Sequence, residues 1–260
     1  MKILITSGGT KVPIDRVRSI TNMSKGTFGS RIADAFYALG CNNIGKQNKE
    51  QIEKITFFMA KGSKMPFVDK HIMCEIHAAA GLVPVEMIEY STFDDYKTGV
   101  EKLLSREKYD IIVVAAAVSD YGVANYYNGK YRSREDDMCI KLVKLPKILP
   151  IMRKMAPDSV ICGFKLLVDS TTAELLNAMK NQIVESDVDL VIGNDLRDIK
   201  NDNHILTVMS KYNHVPREYS LLPPEERKQF AVYPLAKAVV NECIEAYEQR
   251  KQNNGKDRNN

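Results

Sequence analysis

Short, continuous apolar runs separated by segments of helical periodicity constrain the fold of this chain more than any other feature. Because the runs do not alternate apolar with polar residues, they are typical of strands that are buried on both faces. Strands that alternate with helices predict a parallel sheet covered by helices on both sides. We therefore expect a Rossmann-like, doubly wound α/β fold with a mostly parallel sheet. The predicted strands are Ile3–Ile5, Ile55–Met59, Val83–Ile88, Ile111–Ala117, Val160–Phe164 and Leu190–Ile192, with Ile205–Met209 as a strand that pairs antiparallel.

The helices between these strands are marked by periodicity and by capping signals. Apolar residues recur at helical spacing over Gly26–Leu39, and Gly40 is expected to end that helix. Thr92 and Asp95 form a candidate capping box for a helix that runs through Leu104. Further helices are predicted near 146–155, where a cap is also expected, over 173–184, and from Pro234 through Ala246.

The composition excludes several classes of protein. With 37 Lys and Arg against 33 Asp and Glu, the net charge is +4, and no basic run has the density of a nucleic-acid-binding arm or a membrane-surface helix. The five cysteines are scattered without metal-ligand spacing, which fits a reducing cytoplasm. No apolar stretch is long enough to cross a membrane, and the first run is too short for a signal peptide. We therefore expect a cytoplasmic protein with a small anionic partner, and neither nucleic acid nor membrane as a partner.

Glycine-rich segments follow the first strand and precede the first helix, where a doubly wound sheet binds its ligands. Ser7–Thr10 forms the first segment, and Asn22–Gly29 forms the second. Glycines let backbone amides approach a ligand, and a helix N-terminus supplies unpaired N–H groups with partial positive charge. The two segments predict a phosphate site, although a glycine turn and an ordinary helix cap would give the same pattern. Neither segment is a G-x-G-x-x-G or a Walker A motif.

Residues suited to a nucleotide also follow the later strands. Small residues at 115–117 allow a flat ligand to lie on the backbone, and Asp120 could hold a metal ion or a ribose hydroxyl. Phe164 could stack on a base and Asn194 could hydrogen-bond its edge, while Lys130 could neutralise a triphosphate beneath a polar, Tyr-rich loop. The alternatives are a turn residue at Asp120, core packing of Phe164, an Asx-turn at Asn194 and an exposed basic loop around Lys130.

The familiar nucleophile arrangements are absent from the sequence. There is no G-x-S-x-G and no H-E-x-x-H motif, and no histidine follows a predicted strand with a plausible partner. We therefore expect solvated or packed side chains at His71, His77, His204 and His214.

Taken in chain order, these segments resemble the phosphopantothenate-cysteine ligases of coenzyme A biosynthesis. The resemblance covers nearly the whole chain, and several motifs in the same order are far more specific than any one of them. The matching motifs are Thr6–Thr10, Pro13–Asp15, Val17–Asn22, Ser24-x-Gly26-x-x-Gly29, Ala116–Tyr121, Pro146–Leu149, Gly163–Lys165 and Asn194–Asp195.

The resemblance implies a ligase that joins 4′-phosphopantothenate to L-cysteine. In this family a nucleoside triphosphate with Mg²⁺ activates the carboxylate as an acyl nucleotidylate and releases pyrophosphate. The amine of cysteine then attacks, which gives phosphopantothenoylcysteine and a nucleoside monophosphate. The resemblance favours CTP, because Gly163–Asp169 looks like the stand-alone bacterial type. ATP is the alternative, because Gly8–Pro13 also resembles the eukaryotic form.

The resemblance also implies roles for individual residues. Lys130 falls at the flexible-loop lysine that the family uses in forming the nucleotidylate. Asn22 and Arg18 fall at positions that bind the acyl group and assist its conversion by cysteine, and Asp120 is the expected metal ligand. The expected substrate-binding residues are Arg18, Asn22, Ala116 and Ala117. The expected nucleotide-binding residues are Gly8, Ser24, Gly26, Val114, Ala115, Ala116, Asp120, Lys130, Phe164, Lys180 and Asn194.

The same resemblance predicts the organisation of the chain. We expect a single ligase domain over 1–251, without the decarboxylase domain that many bacterial relatives carry, and a disordered tail over 252–260. A flexible flap over 122–140 is expected to elaborate the domain and to contribute to a homodimer interface. Thr27 stands where many relatives carry Lys or Arg, so that Lys25 is the candidate replacement for that basic residue. The polar insert 42–53 has no counterpart in the family pattern.

Two other functions are compatible with the same fold. The main alternative is an NAD(P)-dependent oxidoreductase, but the chain has no G-x-G-x-x-G motif followed by an acidic residue for the ribose. A binding protein without catalytic activity would be recognised by the loss of Asn22 or Lys130, and both are present.

Overall fold

The computed structural model describes residues 1–43, 51–67, 83–132, 138–200, 204–213, 215–220 and 234–257. Its strands, in chain order, are β1 (Lys2–Ser7), β2 (Lys11–Pro13), β3 (Ser19–Thr21), β4 (Lys54–Ala60), β5 (Val85–Tyr90), β6 (Ile111–Val114), β7 (Tyr121–Val123), β8 (Leu142–Lys144), β9 (Val160–Leu167), β10 (Leu190–Asp195), β11 (Ile205–Ser210) and β12 (Arg217–Ser220). Its helices are α1 (Thr27–Asn43), α2 (Phe93–Arg106), α3 (Ile148–Met155), α4 (Thr172–Ser186), α5 (Leu196–Lys200) and α6 (Pro234–Asp257).

One sheet of the described residues contains eight of these strands, in the order β12-β11-β10-β9-β6-β1-β4-β5. Every neighbouring pair from β5 to β10 is parallel, whereas β11 is antiparallel to β10 and β12 is antiparallel to β11. The chain runs outwards from β1 through β4 and β5, and then from β6 through β9 and β10 on the other side. The sheet is therefore doubly wound and changes direction between β1 and β6. The predicted fold class and the predicted antiparallel strand are confirmed.

Helices cover both faces of the sheet. One face carries α1 and α6, whose Phe36 and Val239 join Ile5 of β1 in a buried apolar cluster. The other face carries α2, α3 and α4, which bury Tyr96 and Met179 in a second cluster. Full burial of one large apolar side chain stabilises a fold by about 1.5–3 kcal/mol. The two layers explain why the strand sequences are apolar without alternation.

The predicted capping box of α2 is confirmed. The Thr92 hydroxyl accepts the N–H of Asp95 at 3.1 Å, and the Asp95 carboxylate accepts the N–H of Thr92 at 2.9 Å. A second capping box, which the periodicity did not predict, starts α4 at Thr171 and Glu174. The cap expected near residue 146 is wrong, because Lys147 precedes α3 without a side-chain capping bond.

Several predicted boundaries are also wrong, and β9 and β10 run on to Leu167 and Asp195, so that Phe164 and Asn194 lie within strands rather than after them. α1 continues past Gly40 to Asn43, because this glycine allows close packing: an added Cβ would lie 2.5 Å from Cγ2 of Val83. The strand predicted over 111–117 ends at Val114. Residues 252–257 of the predicted tail continue α6, and residues 258–260 lie outside the described residues. Residues 44–50 of the predicted insert lie outside the described residues.

The described part of the chain contains neither a disulfide nor a helix of the length and apolar character that a bilayer requires. Cys41, Cys139, Cys162 and Cys243 are free thiols. The ring of His204 packs near Phe28, as expected for a packed histidine. The other cysteine and histidine predictions concern residues outside the described part of the chain, namely Cys74, His71, His77 and His214.

Candidate functional site

The candidate site lies where the sheet changes direction, at the carboxyl ends of β1 and β6. Beyond the strand ends the two segments stay joined, since the N–H of Thr10 donates to the Ala117 oxygen at 3.1 Å. The N–H of Ala117 in turn donates to the Gly8 oxygen at 2.8 Å. Val114 is buried as the last residue of β6, and residues 115–117 are half-buried. The structure therefore brings together the segments that the sequence predicted at this edge.

The two glycine-rich segments form one backbone cradle in front of α1, which we call the glycine cradle (Ser7–Thr10 and Asn22–Gly29). Gly8 and Gly26 have φ angles of 87° and 72°, in the left-handed region that favours glycine. The Ser7 hydroxyl donates to the Gly26 oxygen at 3.0 Å, which fixes the second segment against the end of β1. Ser24 is exposed beside Gly26, at the N-terminus of a 17-residue helix. This geometry is suited to binding an anion.

Asn22 links the second glycine segment to the end of β6. Its side-chain Nδ2 donates to the Ala117 oxygen at 2.7 Å. Its backbone oxygen lies 2.8 Å from the position that a Cβ on Gly9 would occupy, so that the two segments approach closely. Asn22 is exposed and Ala116 is half-buried beside Ala117. Three residues that were expected to contact the substrate therefore lie at one point of the edge.

Asp15 holds Arg18 in a fixed orientation. The Asp15 side chain is fully buried and pairs with the Arg18 guanidinium at 3.0 Å. Its carboxylate also accepts the backbone N–H groups of Val17 and Arg18, at 2.8 and 2.7 Å. Burial alone would raise the pKa of Asp15, but backbone N–H donors, led by Val17, and the charge of Arg18 outweigh burial and lower the pKa to about 2. The carboxylate is therefore ionised at neutral pH.

The segment that carries Lys130, residues 124–132, is fastened to the same carboxylate, and we call it the Lys130 loop. The N–H of Tyr131 donates to Oδ2 of Asp15 at 3.1 Å. Nη2 of Arg18 donates to the Tyr131 oxygen at 2.7 Å. Lys130 itself is exposed. The structure thus places Lys130 one residue away from a contact of Arg18.

Asp120, the expected metal ligand, is paired with a cation. Nζ of Lys147 donates to Oδ1 of Asp120 at 2.5 Å, and the two side chains are 62% and 58% exposed. The contact joins the motif after β6 to the motif before α3. Within the described residues, no group of three or more His, Cys, Asp or Glu side chains could hold a metal ion. A metal ion at Asp120 would therefore compete with Lys147 for this carboxylate.

Phe164 and Asn194 reach the same edge of the sheet from β9 and β10. Phe164 is half-buried, and its ring meets Phe28 of α1 edge-on with centroids 5.9 Å apart. Asn194 lies opposite Leu166 in the parallel register. Lys180 is exposed on α4, and among the described residues no hydrogen bond or ion pair joins it to Phe164 or Asn194. The structure therefore brings together two of the three residues expected around a base.

Two residues at this edge were given no role by sequence reasoning. Asp195, rather than Asn194, organises the local turns: it accepts the N–H groups of Ser170 and Arg197 at 2.8 and 2.9 Å. The Ser170 donor is the main reason that the pKa of Asp195 falls to about 2. The second residue is Ser63, whose buried hydroxyl has no hydrogen-bond partner among the described residues. Their position in the sequence could have indicated both residues, because each lies at or just beyond the carboxyl end of a parallel strand, where such sheets bind ligands.

Sequence comparison relates the chain to proteins of coenzyme A metabolism. Residues 1–64 and 58–231 match the family described as the DNA/pantothenate metabolism flavoprotein C-terminal domain. The chain is 30% identical over 196 residues to the coenzyme A biosynthesis bifunctional protein CoaBC of Thermococcus kodakarensis, a match that covers 75% of this chain and 41% of that protein. It is 25% identical over 224 residues to the phosphopantothenate–cysteine ligase of Homo sapiens, over 72% of this chain and 71% of that protein.

A solved structure extends the likeness to three dimensions. The DNA/pantothenate metabolism flavoprotein from Streptococcus pneumoniae matches with a TM-score of 0.71 at 25% identity, over 95% of this chain and 99% of that chain. The chain spans less than half the length of the Thermococcus protein. None of these matches favours the NAD(P)-dependent oxidoreductase alternative. Because the family match extends over most of the sequence, the chain belongs to the family of the DNA/pantothenate metabolism flavoprotein C-terminal domain.

Proposed function

We propose that this chain is a phosphopantothenate-cysteine ligase, which joins 4′-phosphopantothenate to L-cysteine through an acyl-nucleotidylate intermediate. The observation that carries the proposal is that one edge of the sheet gathers the glycine cradle, Asn22, Arg18 and the Lys130 loop. Activation of a carboxylate by a nucleotide requires an anion site and a cation, and capture by an amine requires donors for an oxyanion. The name of the human relative agrees with this reaction.

The glycine cradle is suited to the triphosphate of the nucleotide. Gly8, Ser24 and Gly26 would offer backbone N–H donors at the N-terminus of α1. A Cβ on Gly8 would lie 2.6 Å from the Cβ of Ala60, so that only glycine lets the backbone lie here. The flat part of the nucleotide would lie on the end of β6, along Val114, Ala115 and Ala116. The close packing of Gly8 against Ala60 thus fixes the backbone whose N–H groups would face the phosphate oxygens.

In the first half-reaction, we assign Lys130 to the phosphate charge. A carboxylate oxygen of 4′-phosphopantothenate attacks the α-phosphorus of the nucleotide, the bond from this phosphorus to the bridging oxygen breaks, and pyrophosphate leaves. Negative charge grows on the phosphate oxygens during this step, and a fixed cation lowers the barrier. The Asp15 contact of Tyr131 restrains the loop that would present this cation.

In the second half-reaction, we assign Asn22 and Arg18 to the acyl group. The amine of cysteine attacks the acyl carbon, a tetrahedral oxyanion forms, the nucleoside monophosphate leaves, and the amine releases a proton to solvent. Nη1 of Arg18 makes no hydrogen bond to any described residue and would be available to the oxyanion. Ala116 and Ala117 would contact the same substrate beside Asn22. Removal of one oxyanion donor typically slows such reactions by about 10²–10³.

Mg²⁺ is proposed to accompany the triphosphate rather than to reside in the protein. Magnesium is usually held by one or two carboxylates together with the phosphates of the substrate. Asp120 supplies one exposed carboxylate, which fits this mode of binding. When bound, the ion would neutralise phosphate charge. Lys147 would then exchange its contact with Asp120 for one with solvent or phosphate.

CTP is the proposed nucleotide, and ATP is its alternative. Phe164 would stack on the base and Asn194 would hydrogen-bond its edge, since both lie at the carboxyl edge of the sheet. Lys180 would have to reach the nucleotide from α4. A pyrimidine base is narrower than a purine base. The preference for CTP or ATP therefore depends on the space beside Phe164.

A cytoplasmic homodimer is the proposed form of the protein. Two short ribbons, β2–β3 and β7–β8, expose apolar side chains, and exposed apolar patches often mark interfaces. The residues on these ribbons include Ile20, Tyr121, Leu142 and Val143. Light scattering should give the mass of a dimer, and Leu142→Glu with Val143→Glu should lower the mass to that of one chain. A single-chain mass for the unmodified protein would contradict the proposal.

The proposed reaction is tested by measuring pyrophosphate and product with CTP and ATP side by side. We expect pyrophosphate release that requires 4′-phosphopantothenate, and phosphopantothenoylcysteine only after cysteine is added. Absence of turnover with both nucleotides would contradict the proposed function. Thermal stabilisation by NADPH, but not by CTP or ATP with Mg²⁺, would point to an oxidoreductase instead.

A further inference from the structure

Ser63 lies in the tight turn that follows β4. Its N–H donates to the Ala60 oxygen at 2.9 Å, and Gly62 has a φ of 81°, as the third residue of a type II turn requires. The Ser63 hydroxyl is buried, and no described residue forms a hydrogen bond with it. Most buried polar groups in proteins have a partner, and an unpaired one costs stability. Contacts with the described residues therefore do not explain why this hydroxyl is buried without a hydrogen bond.

The hydroxyl stands beside the glycine cradle. A Cβ on Gly8 would lie 3.1 Å from the Ser63 Oγ. A Cβ on Gly26 would lie 3.1 Å from the Ser63 Cβ and 3.2 Å from the Gly8 nitrogen. The two left-handed glycines and Ser63 thus converge on one small volume.

The turn after β4 is also tied to the cradle through the backbone. The N–H of Lys64 donates to the Lys25 oxygen at 2.9 Å. Lys25, Lys61 and Lys64 are all exposed, and none of them forms an ion pair with a described residue. Two joined segments therefore combine an unpaired hydroxyl donor with three positive charges that no described carboxylate neutralises. A ligand with anionic oxygens would pair with the lysine charges and would accept a hydrogen bond from the hydroxyl.

We propose that Ser63 is a ligand of the nucleotide triphosphate, and that its hydroxyl donates to a phosphate oxygen held in the glycine cradle. This inference rests on the proposed function, which places the triphosphate at Gly8, Ser24 and Gly26. Rotation about the Cα–Cβ bond of Ser63 re-aims the hydroxyl without moving the turn. The phosphate of 4′-phosphopantothenate has the same chemistry, and the experiment separates the two sources.

The test compares the unmodified protein with Ser63→Ala, using inorganic tripolyphosphate with Mg²⁺ as the probe. We expect Ser63→Ala to weaken tripolyphosphate binding by about 10- to 100-fold, the effect of losing a hydrogen bond to a charged group. The KM for CTP or ATP should rise by a similar factor, while the affinity for 4′-phosphopantothenate stays unchanged. Ser105→Ala, at an exposed serine of α2, is the matched control and should change neither.

A second readout distinguishes a ligand from a structural side chain. Without ligand, the Tm of Ser63→Ala should equal or exceed that of the unmodified protein, because the variant removes an unsatisfied buried hydroxyl. Equal tripolyphosphate affinity in both proteins would overturn the proposal, as would a Tm lowered by several degrees. Weaker binding of 4′-phosphopantothenate alone would also overturn it, since the hydroxyl would then serve the other phosphate.

The inference and the proposed function can fail separately, because tripolyphosphate binding does not depend on turnover. If the protein binds tripolyphosphate through Ser63 but releases no pyrophosphate with CTP or ATP, the ligase assignment is wrong and the phosphate ligand stands. If turnover is normal and unaffected by Ser63→Ala, the ligase assignment stands and the role of Ser63 is wrong.

Discussion

The carboxylate of Asp15 accepts a hydrogen bond from the backbone N–H of Tyr131 at 3.1 Å, across 116 positions of sequence. The same carboxylate fixes Arg18, whose Nη2 returns a hydrogen bond to the Tyr131 oxygen. On the other side of Lys130, the N–H of Arg16 donates to the Gly129 oxygen at 3.0 Å. One buried carboxylate therefore joins the residue assigned to the acyl group and the loop assigned to the phosphates.

Asp15→Asn should slow pyrophosphate release by about 10- to 100-fold. The variant replaces one carboxylate oxygen by an NH₂ group, which would then point at N–H donors that need an acceptor. Trypsin should also cleave after Lys130 faster than in the unmodified protein. Asp158→Asn, at an exposed carboxylate, is the control and should behave like the unmodified protein. Normal pyrophosphate release by Asp15→Asn would show that the contacts of Asp15 with Arg18 and Tyr131 do not position the Lys130 loop.

The pKa of Asp15 gives a prediction for the pH dependence. Because this pKa is lowered to about 2 from the ordinary value of 3.8, the contacts of the ionised carboxylate stabilise the fold above about pH 4. That stabilisation is lost as the pH falls from 3.8 towards 2. Denaturant titrations from pH 6 to pH 2 should show a smaller loss of stability for Asp15→Asn than for the unmodified protein. Parallel pH curves for the two proteins would rule this out.

Asn22→Asp should separate the two half-reactions. The variant replaces the Nδ2 donor, which now binds the Ala117 oxygen, by an acceptor that repels both that oxygen and an oxyanion. Pyrophosphate should still be released, while formation of phosphopantothenoylcysteine should fall by about 10²–10³, as for other oxyanion donors. The measurement is a pyrophosphate assay beside product detection by mass spectrometry. Equal loss of both signals would place Asn22 in the first half-reaction instead.

Lys130→Gln should stop the first half-reaction, because the variant keeps a polar side chain, one atom shorter, but removes the positive charge. Pyrophosphate release should fall to the background rate, and no nucleotidylate should accumulate without cysteine. Lys141→Gln removes an exposed charge from the segment just before β8 and serves as the control. Normal nucleotidylate formation by Lys130→Gln would mean that the loop is wrongly assigned.

Arg153→Met should destabilise the fold far from the candidate site. Arg153 is buried, donates to the backbone oxygens of Asp187 and Ser159 at 2.7 and 2.8 Å, and pairs with the fully buried Asp189. Removal of one partner from a buried pair typically costs about 3–5 kcal/mol, and the loss here should lie towards the lower end because Arg250 and Lys211 also pair with Asp189. Urea denaturation should report this loss, whereas Lys154→Met, at the exposed neighbour, should change the unfolding free energy by less than about 0.5 kcal/mol.

Much of the fold could be predicted because burial on both faces leaves a clear pattern. Ile3–Ile5 and Ile111–Val114 are apolar at every position, since each lies in the middle of a covered sheet. Gly40 was misread because a glycine that ends a helix and a glycine that permits close packing look identical in a sequence. The three-residue strands of the two ribbons were missed because exposed, short strands impose no apolar period.

The candidate site could be predicted only where its parts follow strands. The glycine cradle and Ala115–Ala117 were placed at one edge because parallel strands end together there. The contact of Asp15 with Tyr131 could not be predicted, since it joins distant loops that share no strand. Ser63 could not be predicted for a different reason: it is marked by a buried hydroxyl without a partner among the described residues, and a sequence does not show which hydroxyls are paired.

The position of α6 beside α1 has a consequence for how the protein is made. These two helices share one face of the sheet, and Leu235, Val239 and Cys243 of α6 are fully or almost fully buried there. While the ribosome is still synthesising the residues before 234, the apolar side of β9 and β10 has no such cover. The nascent chain must therefore keep this surface from aggregating until α6 has emerged from the ribosome, so that this face of the sheet is covered only after residues 234–257 have been made.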